Sequence, residues 1–247
     1  MPRLAMFPWA KLLAASALTA AWVLLLVHAA HAGGPLYVAG VSYFDPAVKG
    51  TPVTWYQGAV PYYTDQGDLS PLLPQAGANA LVADAFSRWT NISTVALTAV
   101  PAGSLAEDVN GTNVTITGGL LTLPLDIQPS AVSNPVGIVY DFDGQVTETL
   151  LGTGSSSDCR NNAVYGGLDS FTTSGNLAHA LVILNGLCAQ DPTLLPDFEY
   201  RLIRVLGRVI GLAPAQANLN VWTGTPPPSL ADQAGDRKST RLNSSHG

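Results

Sequence analysis

The spacing of apolar residues predicts an α+β fold. Two segments, residues 76–91 and 196–212, repeat apolar side chains at steps of three and four, which is the pattern of an amphipathic helix. Five other runs are short and rich in β-branched, aliphatic and aromatic residues, as strands are. The elements follow one another as strand, helix, four strands and helix, so strands and helices do not alternate regularly.

The first three strands are predicted from β-rich composition. Residues 51–64 are rich in valine, tyrosine and tryptophan and place an opening strand at 59–64. Residues 93–100 and 113–117 are two further β-rich runs, separated by a turn that contains glycine and asparagine.

Two apolar runs complete the predicted strands. Residues 136–140 form a short apolar strand that ends at an Asp-Phe-Asp-Gly turn. Residues 177–184 could be a strand or a short helix, and a strand is favoured because Asn185 and Gly186 end the run. Between them, residues 152–162 are rich in glycine, serine, aspartate and asparagine, which predicts a flexible loop anchored only at Cys159.

Both predicted helices are amphipathic. The first repeats its apolar side chains at Leu81, Val82, Ala85, Phe86 and Trp89. The second is expected to bury a stripe made of Phe198, Leu202, Val205, Leu206, Val209 and Ile210. Its three arginines, Arg201, Arg204 and Arg208, lie at i, i+3 and i+7 and therefore share the opposite face.

The amino terminus has the pattern of a secretory signal. Basic residues precede an apolar run at 12–27, and Ala30-His31-Ala32 supplies a small-x-small cleavage site. An uncleaved anchor helix is the alternative, but the run is shorter than the ~20 apolar residues that a span usually needs. Residues 1–32 are therefore predicted to be a cleaved signal peptide, and the protein is expected to be secreted or to reside in the cell envelope.

The carboxyl terminus divides into a linker and a foreign sequence. Residues 223–235 are rich in proline and predict a linker to a further part of the protein. Residues 236–246 match the translation of one reading frame of a common short-read sequencing adapter, which predicts that residues 236–247 are an artefact that takes no part in the fold. The alternative is a natural basic tail. One domain is then expected at residues 33–222.

Charge excludes some classes of partner. Residues 33–235 carry six basic and sixteen acidic side chains, a net charge of −10. A surface this acidic is unsuited to nucleic acid or to anionic membranes. Protein or peptide ligands remain as the expected partners, together with further domains of the same chain.

Two cysteines remain in this region, Cys159 and Cys188. An even pair in an exported chain most simply forms a disulfide, whereas two free buried thiols would be expected in a cytosolic protein. The pair lacks the CxxC spacing that redox or zinc-binding cysteines use.

Residues 204–214, Arg-Val-Leu-Gly-Arg-Val-Ile-Gly-Leu-Ala-Pro, have the layout of the metzincin signature H-E-x-x-H-x-x-G-x-x-H. The glycine of that signature is present as Gly211. Residues 60–63 (Val-Pro-Tyr-Tyr) with 85–89 (Ala-Phe-Ser-Arg-Trp) are similar to the first strand and first helix of the matrixin branch. The chain from about residue 54 to 216 thus resembles a matrixin-like metzincin, a zinc endopeptidase family.

The resemblance implies a twisted five-stranded mixed sheet with two main helices and a substrate cleft above it. It also implies that the zinc positions are Arg204, Arg208 and Pro214, and that the general-base position is Val205. Arginine stays protonated and repels a dication, and valine and proline cannot replace a base or a ligand. His179 is the one histidine of residues 33–235, so histidines cannot supply three ligands there.

The arginines of the second helix have two interpretations. Arg201 can pair with Asp197 at i, i+4, as charged residues on solvated helix faces often do. Arg204 and Arg208 either decorate the surface or line the former cleft and bind an anion such as a carboxylate.

Other candidate sites follow from local composition. Asp141 and Asp143, with Glu148 nearby, offer oxygen ligands suited to calcium, although a plain turn explains the same residues and the EF-hand pattern is incomplete. His179 is expected to be a core or strand-end histidine. The sequence has no G-x-S-x-G elbow of a serine hydrolase.

These observations predict a pseudoenzyme. The leading hypothesis is an exported metallopeptidase homologue that has lost its zinc ligands and needs no cofactor, within a longer extracellular protein. The alternative is a secreted zinc metalloendopeptidase of the matrixin family, which would need zinc. A third hypothesis is a purely structural module beside further domains.

Overall fold

A computed structural model describes residues 35–40, 43–93 and 95–213. The predicted signal peptide, the proline-rich linker and residues 236–247 lie outside the described residues. The described part has eight strands: Thr54–Trp55 (β1), Ala59–Thr64 (β2), Thr98–Ser104 (β3), Thr115–Thr117 (β4), Leu120–Thr122 (β5), Val136–Asp141 (β6), Val164–Phe171 (β7) and Asn176–Asn185 (β8). Its four α-helices are Gln75–Thr90 (α1), Gln145–Leu151 (α2), Cys159–Asn162 (α3) and Leu195–Val209 (α4).

The main sheet has six strands and is mostly parallel. Strands β3, β2, β6 and β8 lie side by side in that order and run in the same direction. Strand β7 pairs antiparallel with the free side of β8, and the two-residue β1 adds a parallel contact at the start of β8. Strands β4 and β5 form a separate antiparallel hairpin. The fold is therefore mixed α/β with a mostly parallel sheet, whereas the sequence predicted the α+β class.

Hydrophobic side chains fill both faces of the main sheet because successive residues of a strand point to opposite sides. On one face, Ile138 and Val182 pack with α1 and α4 through Phe86 and Phe198. On the other, Val139 and Ile183 belong to a smaller cluster that also contains residues of the β3–β6 connection. Each fully buried side chain of this size contributes about 1.5–3 kcal/mol relative to its exposed state.

Helices α1 and α4 make a close contact at Gly207. The indole of Trp89 lies over this glycine, where an added Cβ would come within 2.7 Å of the ring. Trp89 Nε1 donates a hydrogen bond to the carbonyl of Ile203 at 2.8 Å. Trp55 Nε1 holds the end of the same helix by donating to the carbonyl of Val209 at 2.8 Å. The two tryptophans thus fix the position of α4 against the first helix and the sheet.

The predicted helices and three of the predicted strands are confirmed, with small changes at their ends. Helices α1 and α4, with the predicted buried stripe of α4, occupy the expected segments. Strand β2 matches residue for residue, and β6 and β8 match to within one residue at each end.

Three sequence predictions are wrong in part. The strand expected at 93–100 begins at Thr98 and continues to Ser104. The run at 113–117 contributes to the β4–β5 hairpin instead of the main sheet. The segment 152–162, expected to be a loop, contains the one-turn helix α3 and a short 3-10 helix at Ser155–Ser157. Strand β7 and helix α2 were not predicted.

The expected disulfide joins Cys159 of α3 to Cys188, just after β8. Their sulfur atoms are 2.09 Å apart. The bridge ties the segment before β7 to the segment before α4. No helix within the described ranges combines the length and the apolar character that crossing a membrane requires.

Candidate functional site

The end of α4 turns sharply at Gly211. This glycine has φ +92°, in the left-handed region that other residues rarely adopt. The amides of Gly211 and Leu212 donate to the carbonyls of Arg208 and Gly207, both at 2.9 Å, and close the last turn of the helix. The carbonyl of Gly211 in turn accepts a hydrogen bond from the amide of Leu36 at 2.7 Å. The glycine of the signature-like segment therefore sets the direction of the chain after the helix.

The two described residues at the implied zinc positions, Arg204 and Arg208, lie on the outer face of α4. Arg204 is half-buried, with its guanidinium carbon 5.9 Å from the centre of the Tyr200 ring. Arg208 is exposed. Val205, at the implied general-base position, is 8% exposed and packs in the core. Pro214 lies outside the described residues. Neither a guanidinium nor a valine offers a lone pair to a metal, so these positions do not fit zinc.

Arg201 is the member of the arginine set with an internal partner. Its Nε donates to Asp197 Oδ2 at 2.7 Å, which confirms the predicted i, i+4 pair. Its other guanidinium nitrogen, Nη1, donates to the carbonyl of Arg160. Within the described residues, Arg204 and Arg208 form no ion pair.

His179 is a core histidine, as expected, and it has a partner that the sequence did not suggest. Its side chain is fully buried in β8, and Nδ1 lies 2.7 Å from Asp169 Oδ1. Asp169 lies at an irregularity of β7, where the register with β8 shifts between Leu168 and Ser170. The other ring nitrogen, Nε2, is buried and has no hydrogen-bond partner among the described residues. The pair joins the two strands at the sheet edge.

The three calcium candidates have separate structural partners. Asp141 is buried and accepts hydrogen bonds from the amides of Val146 and Thr147 and from the Thr147 hydroxyl at 2.6–3.0 Å, so it organises the start of α2. Asp143 Oδ1 accepts from the amide of Gln145 at 3.1 Å. Among the described residues, no three or more His, Cys, Asp or Glu side chains lie close enough to hold a metal ion.

Glu148 organises the segment that was expected to be flexible. Its carboxylate accepts hydrogen bonds from the amides of Gly154 and Ser156 and from the Ser156 hydroxyl. These bonds, led by that of the hydroxyl, lower the pKa of Glu148. Asn185 adds a second tie by donating from Nδ2 to the Ser156 carbonyl at 2.8 Å. The segment is thus bound to both α2 and the end of β8.

Asp65 is a fully buried carboxylate at the end of β2. Its Oδ1 accepts from the amides of Gln66 at 2.8 Å and Val109 at 2.9 Å, and its Oδ2 accepts from the amide of Tyr140 at 2.9 Å. One side chain therefore joins β2, the loop after β3 and the end of β6. Burial outweighs these hydrogen bonds and raises the pKa of Asp65 to about 6.

Val109 and Tyr140, whose amides donate to Asp65, also line an open cleft of about 610 Å³. Its lining combines polar and apolar surface, and its polar side chains include Asp68, Asp108, Asn110, Tyr140 and Gln145. The walls meet closely, because a Cβ added to Gly67 would lie 2.2 Å from an oxygen of Asp108. The cleft is at the carboxyl edge of the parallel strands, where open α/β sheets generally bind their ligands.

Asp65 and this cleft were not predicted from the sequence. A signal was nevertheless present, since three predicted strands are each followed at once by a short polar side chain: Asp65, Asp141 and Asn185. All three are buried and accept hydrogen bonds from backbone amides. The carboxyl ends of parallel strands meet at one edge of the sheet, so the pattern could have placed these side chains together.

Comparison with protein-family models, with curated proteins and with solved structures finds no significant match to this chain.

Proposed function

We propose that this protein carries an exported, matrixin-like domain that has lost its zinc ligands and works as a non-catalytic binding or structural module of a longer extracellular protein. The observation that carries the proposal is the chemistry of α4. The two implied ligand positions that are described hold guanidinium groups, and the implied base position holds a valine packed in the core. A catalytic zinc needs three protein ligands and an open position for water.

Features of the scaffold support the matrixin-like part of the proposal. The main sheet contains five strands longer than two residues, as the resemblance implies. Four of them are parallel, and β7 at the edge is antiparallel. The two long helices, α1 and α4, pack against the same face of that sheet. Gly211 ends α4 in a left-handed turn, as the glycine of the signature would. The disulfide is compatible with an exported protein.

The proposal is tested by restoring the lost residues. The substitutions are Arg204→His, Val205→Glu, Arg208→His and Pro214→His, introduced together. We expect the changed protein to bind zinc measurably by isothermal titration, because Arg204 and Arg208 already share one helix face and Gly211 already supplies the turn. The matched control keeps Pro214 and Val205 and changes only the two arginines to histidine, and it should bind zinc more weakly.

Two results would contradict the proposal. If the fourfold variant keeps its circular dichroism spectrum and binds no zinc, the alignment with the metzincin signature is wrong. If the unchanged protein cleaves a denatured protein substrate and a chelator abolishes the cleavage, the alternative function of a zinc endopeptidase is correct.

A further inference from the structure

The basic side chains of this domain are concentrated on one surface. Residues 33–235 contain six basic side chains, and four of them are contributed by α3 and α4: Arg160, Arg201, Arg204 and Arg208. The hydrogen bond from Arg201 to the carbonyl of Arg160 places the two helices next to each other. We call these four arginines, together with Tyr200, the arginine face. Positive charge is thus grouped on one surface within residues 33–235, whose net charge is −10.

Part of the arginine face is used within the molecule and part is available. Asp197 pairs with Arg201, and Glu199, the other acidic residue of α4, lies 3.4 Å from Arg88 of α1. The acidic residues of α4 are therefore already paired. Arg204 and Arg208 are one helical turn apart, so their guanidinium groups emerge from the same side of the helix.

Tyr200 gives the surface an apolar contact and a fixed geometry. Its side chain is 52% exposed, and its ring lies beneath the Arg204 guanidinium at 5.9 Å. A cation over an aromatic ring loses less conformational freedom when it binds a carboxylate, because its position is partly set in advance. The guanidinium can still donate in its own plane to both oxygens of that carboxylate.

The helix dipole explains only part of this arrangement. A basic residue in the last turn of a helix is stabilised by the helix dipole, and Arg208 is the basic residue of that turn. Arg204 lies farther from the helix end, where this effect has decayed.

We propose that the arginine face is a docking surface for an acidic peptide segment of a partner protein, with carboxylates bound by Arg204 and Arg208 and the chain lying against Tyr200. Charge complementarity selects this occupant. A broad anionic surface such as a membrane would meet the acidic side chains of residues 33–235 as a whole, with their net charge of −10, whereas a short segment meets the arginine face alone. The inference rests on the proposed function, because it assigns a ligand class to a face that a zinc peptidase would use for metal.

The test uses a fluorescein-labelled poly-glutamate peptide and fluorescence anisotropy. We expect the unchanged protein to bind this probe, and to bind it less tightly as salt is raised toward physiological concentration. A poly-glutamine peptide of equal length should not bind. Replacing Arg204 and Arg208 together by glutamine should weaken binding about tenfold or more, since each lost charge-assisted contact removes a large part of the affinity.

A matched pair of single variants separates the loss of a contact on the arginine face from the general effect of losing one positive charge. Arg208→Gln and Lys49→Gln each remove one exposed basic side chain, but Lys49 lies outside the arginine face. Arg208→Gln should weaken binding several-fold, and Lys49→Gln should change it by less than about twofold. Circular dichroism and melting temperature verify that each variant is folded.

The inference is overturned if the unchanged protein does not bind the acidic peptide, or if the two single variants lose affinity equally. Zinc content measured on the same preparation keeps the two proposals distinct. Stoichiometric zinc would refute the proposed function whatever the peptide does. Zinc-free protein that does not bind the peptide would refute the docking surface without contradicting the proposed function.

Discussion

Asp65 provides a prediction about pH that follows from its position. The carboxyl group is fully buried, and burial raises its pKa to about 6, above the 3.8 that it has in the unfolded chain. Because the folded state holds this proton more tightly, the contribution of Asp65 to stability is fully present below pH 3.8 and is lost as the pH rises through 6. The difference between the two values corresponds to about 3 kcal/mol, since one pKa unit is about 1.4 kcal/mol.

The perturbation is Asp65→Asn, which removes the titrating group and keeps a similar shape. Urea unfolding of both proteins at several pH values gives the free energy of unfolding of each. The unchanged protein, measured relative to the variant, should lose about 2.5 kcal/mol of this difference between pH 4 and pH 7, because part of it is already lost at pH 4. Asp141 and the other acidic groups titrate in both proteins, so their contributions cancel in the difference.

An exposed carboxylate, Asp158, provides the control for this experiment. Asp158→Asn, at an exposed position, is the control for the removal of one carboxylate, and a dependence on pH shared by both variants would not be specific to Asp65. The contrary outcome is that the unchanged protein becomes more stable relative to Asp65→Asn as the pH rises. The three amide hydrogen bonds to Asp65 would then outweigh the effect of burial on its pKa. The pKa of Asp65 would then be lowered in the folded protein, and burial could not be the dominant influence on this carboxyl group.

Three other predictions concern packing, the disulfide and the carboxyl terminus. Gly207→Ala should destabilise the protein by about 1–2 kcal/mol in urea unfolding, because the new methyl group would collide with Trp89. The control Gly77→Ala in α1 has room for its methyl group and should be neutral or stabilising. Equal effects of the two substitutions would contradict the close contact between Gly207 and Trp89. Replacing Cys159 and Cys188 by serine should cost about 3.5 kcal/mol for a loop of 29 residues, and alkylation without reductant should label neither cysteine of the exported protein. A chain that ends at Gly235 should melt at the same temperature as the full chain, and a drop of several degrees would show that residues 236–247 take part in the fold.

Elements with strong local patterns could be predicted from the sequence. Strand β2 and helix α1 have the expected bounds to within one residue. The pattern of apolar residues that predicts each of them lies entirely within the element itself. The stripe on α4 was predicted for the same reason, and its arginines then had to lie on the opposite face. In these segments the local preference and the final packing agree.

Strand β7 could not be predicted because its stability comes from β8. It contains two successive glycines, which are poor strand formers. In the folded protein, Gly166 lies so close to the neighbouring strand that an added Cβ would be 2.1 Å from the carbonyl oxygen of Leu181. Strand β3 includes Pro101 and Gly103 and is likewise held by pairing with β2. Such strands are determined by tertiary contacts that short windows of sequence do not contain.

The candidate sites also differ in how far they could be predicted from local sequence. The arginine face follows from helical periodicity, which places three of its four arginines on one side of α4. The site around Asp65 depends on hydrogen bonds to Val109 and Tyr140, which are 44 and 75 positions away in the chain. The partner of His179 is ten positions away, but the irregular pairing of β7 brings it into contact.

The zinc content of the purified, unchanged protein tests the central claim most directly. The protein should be expressed in zinc-supplemented medium, dialysed without chelator and measured by inductively coupled plasma mass spectrometry. With Arg204, Val205 and Arg208 at the implied zinc-site positions, we predict far less than one zinc ion per chain. About one equivalent of tightly bound zinc would contradict the account, because catalytic zinc requires three protein ligands that this helix does not supply.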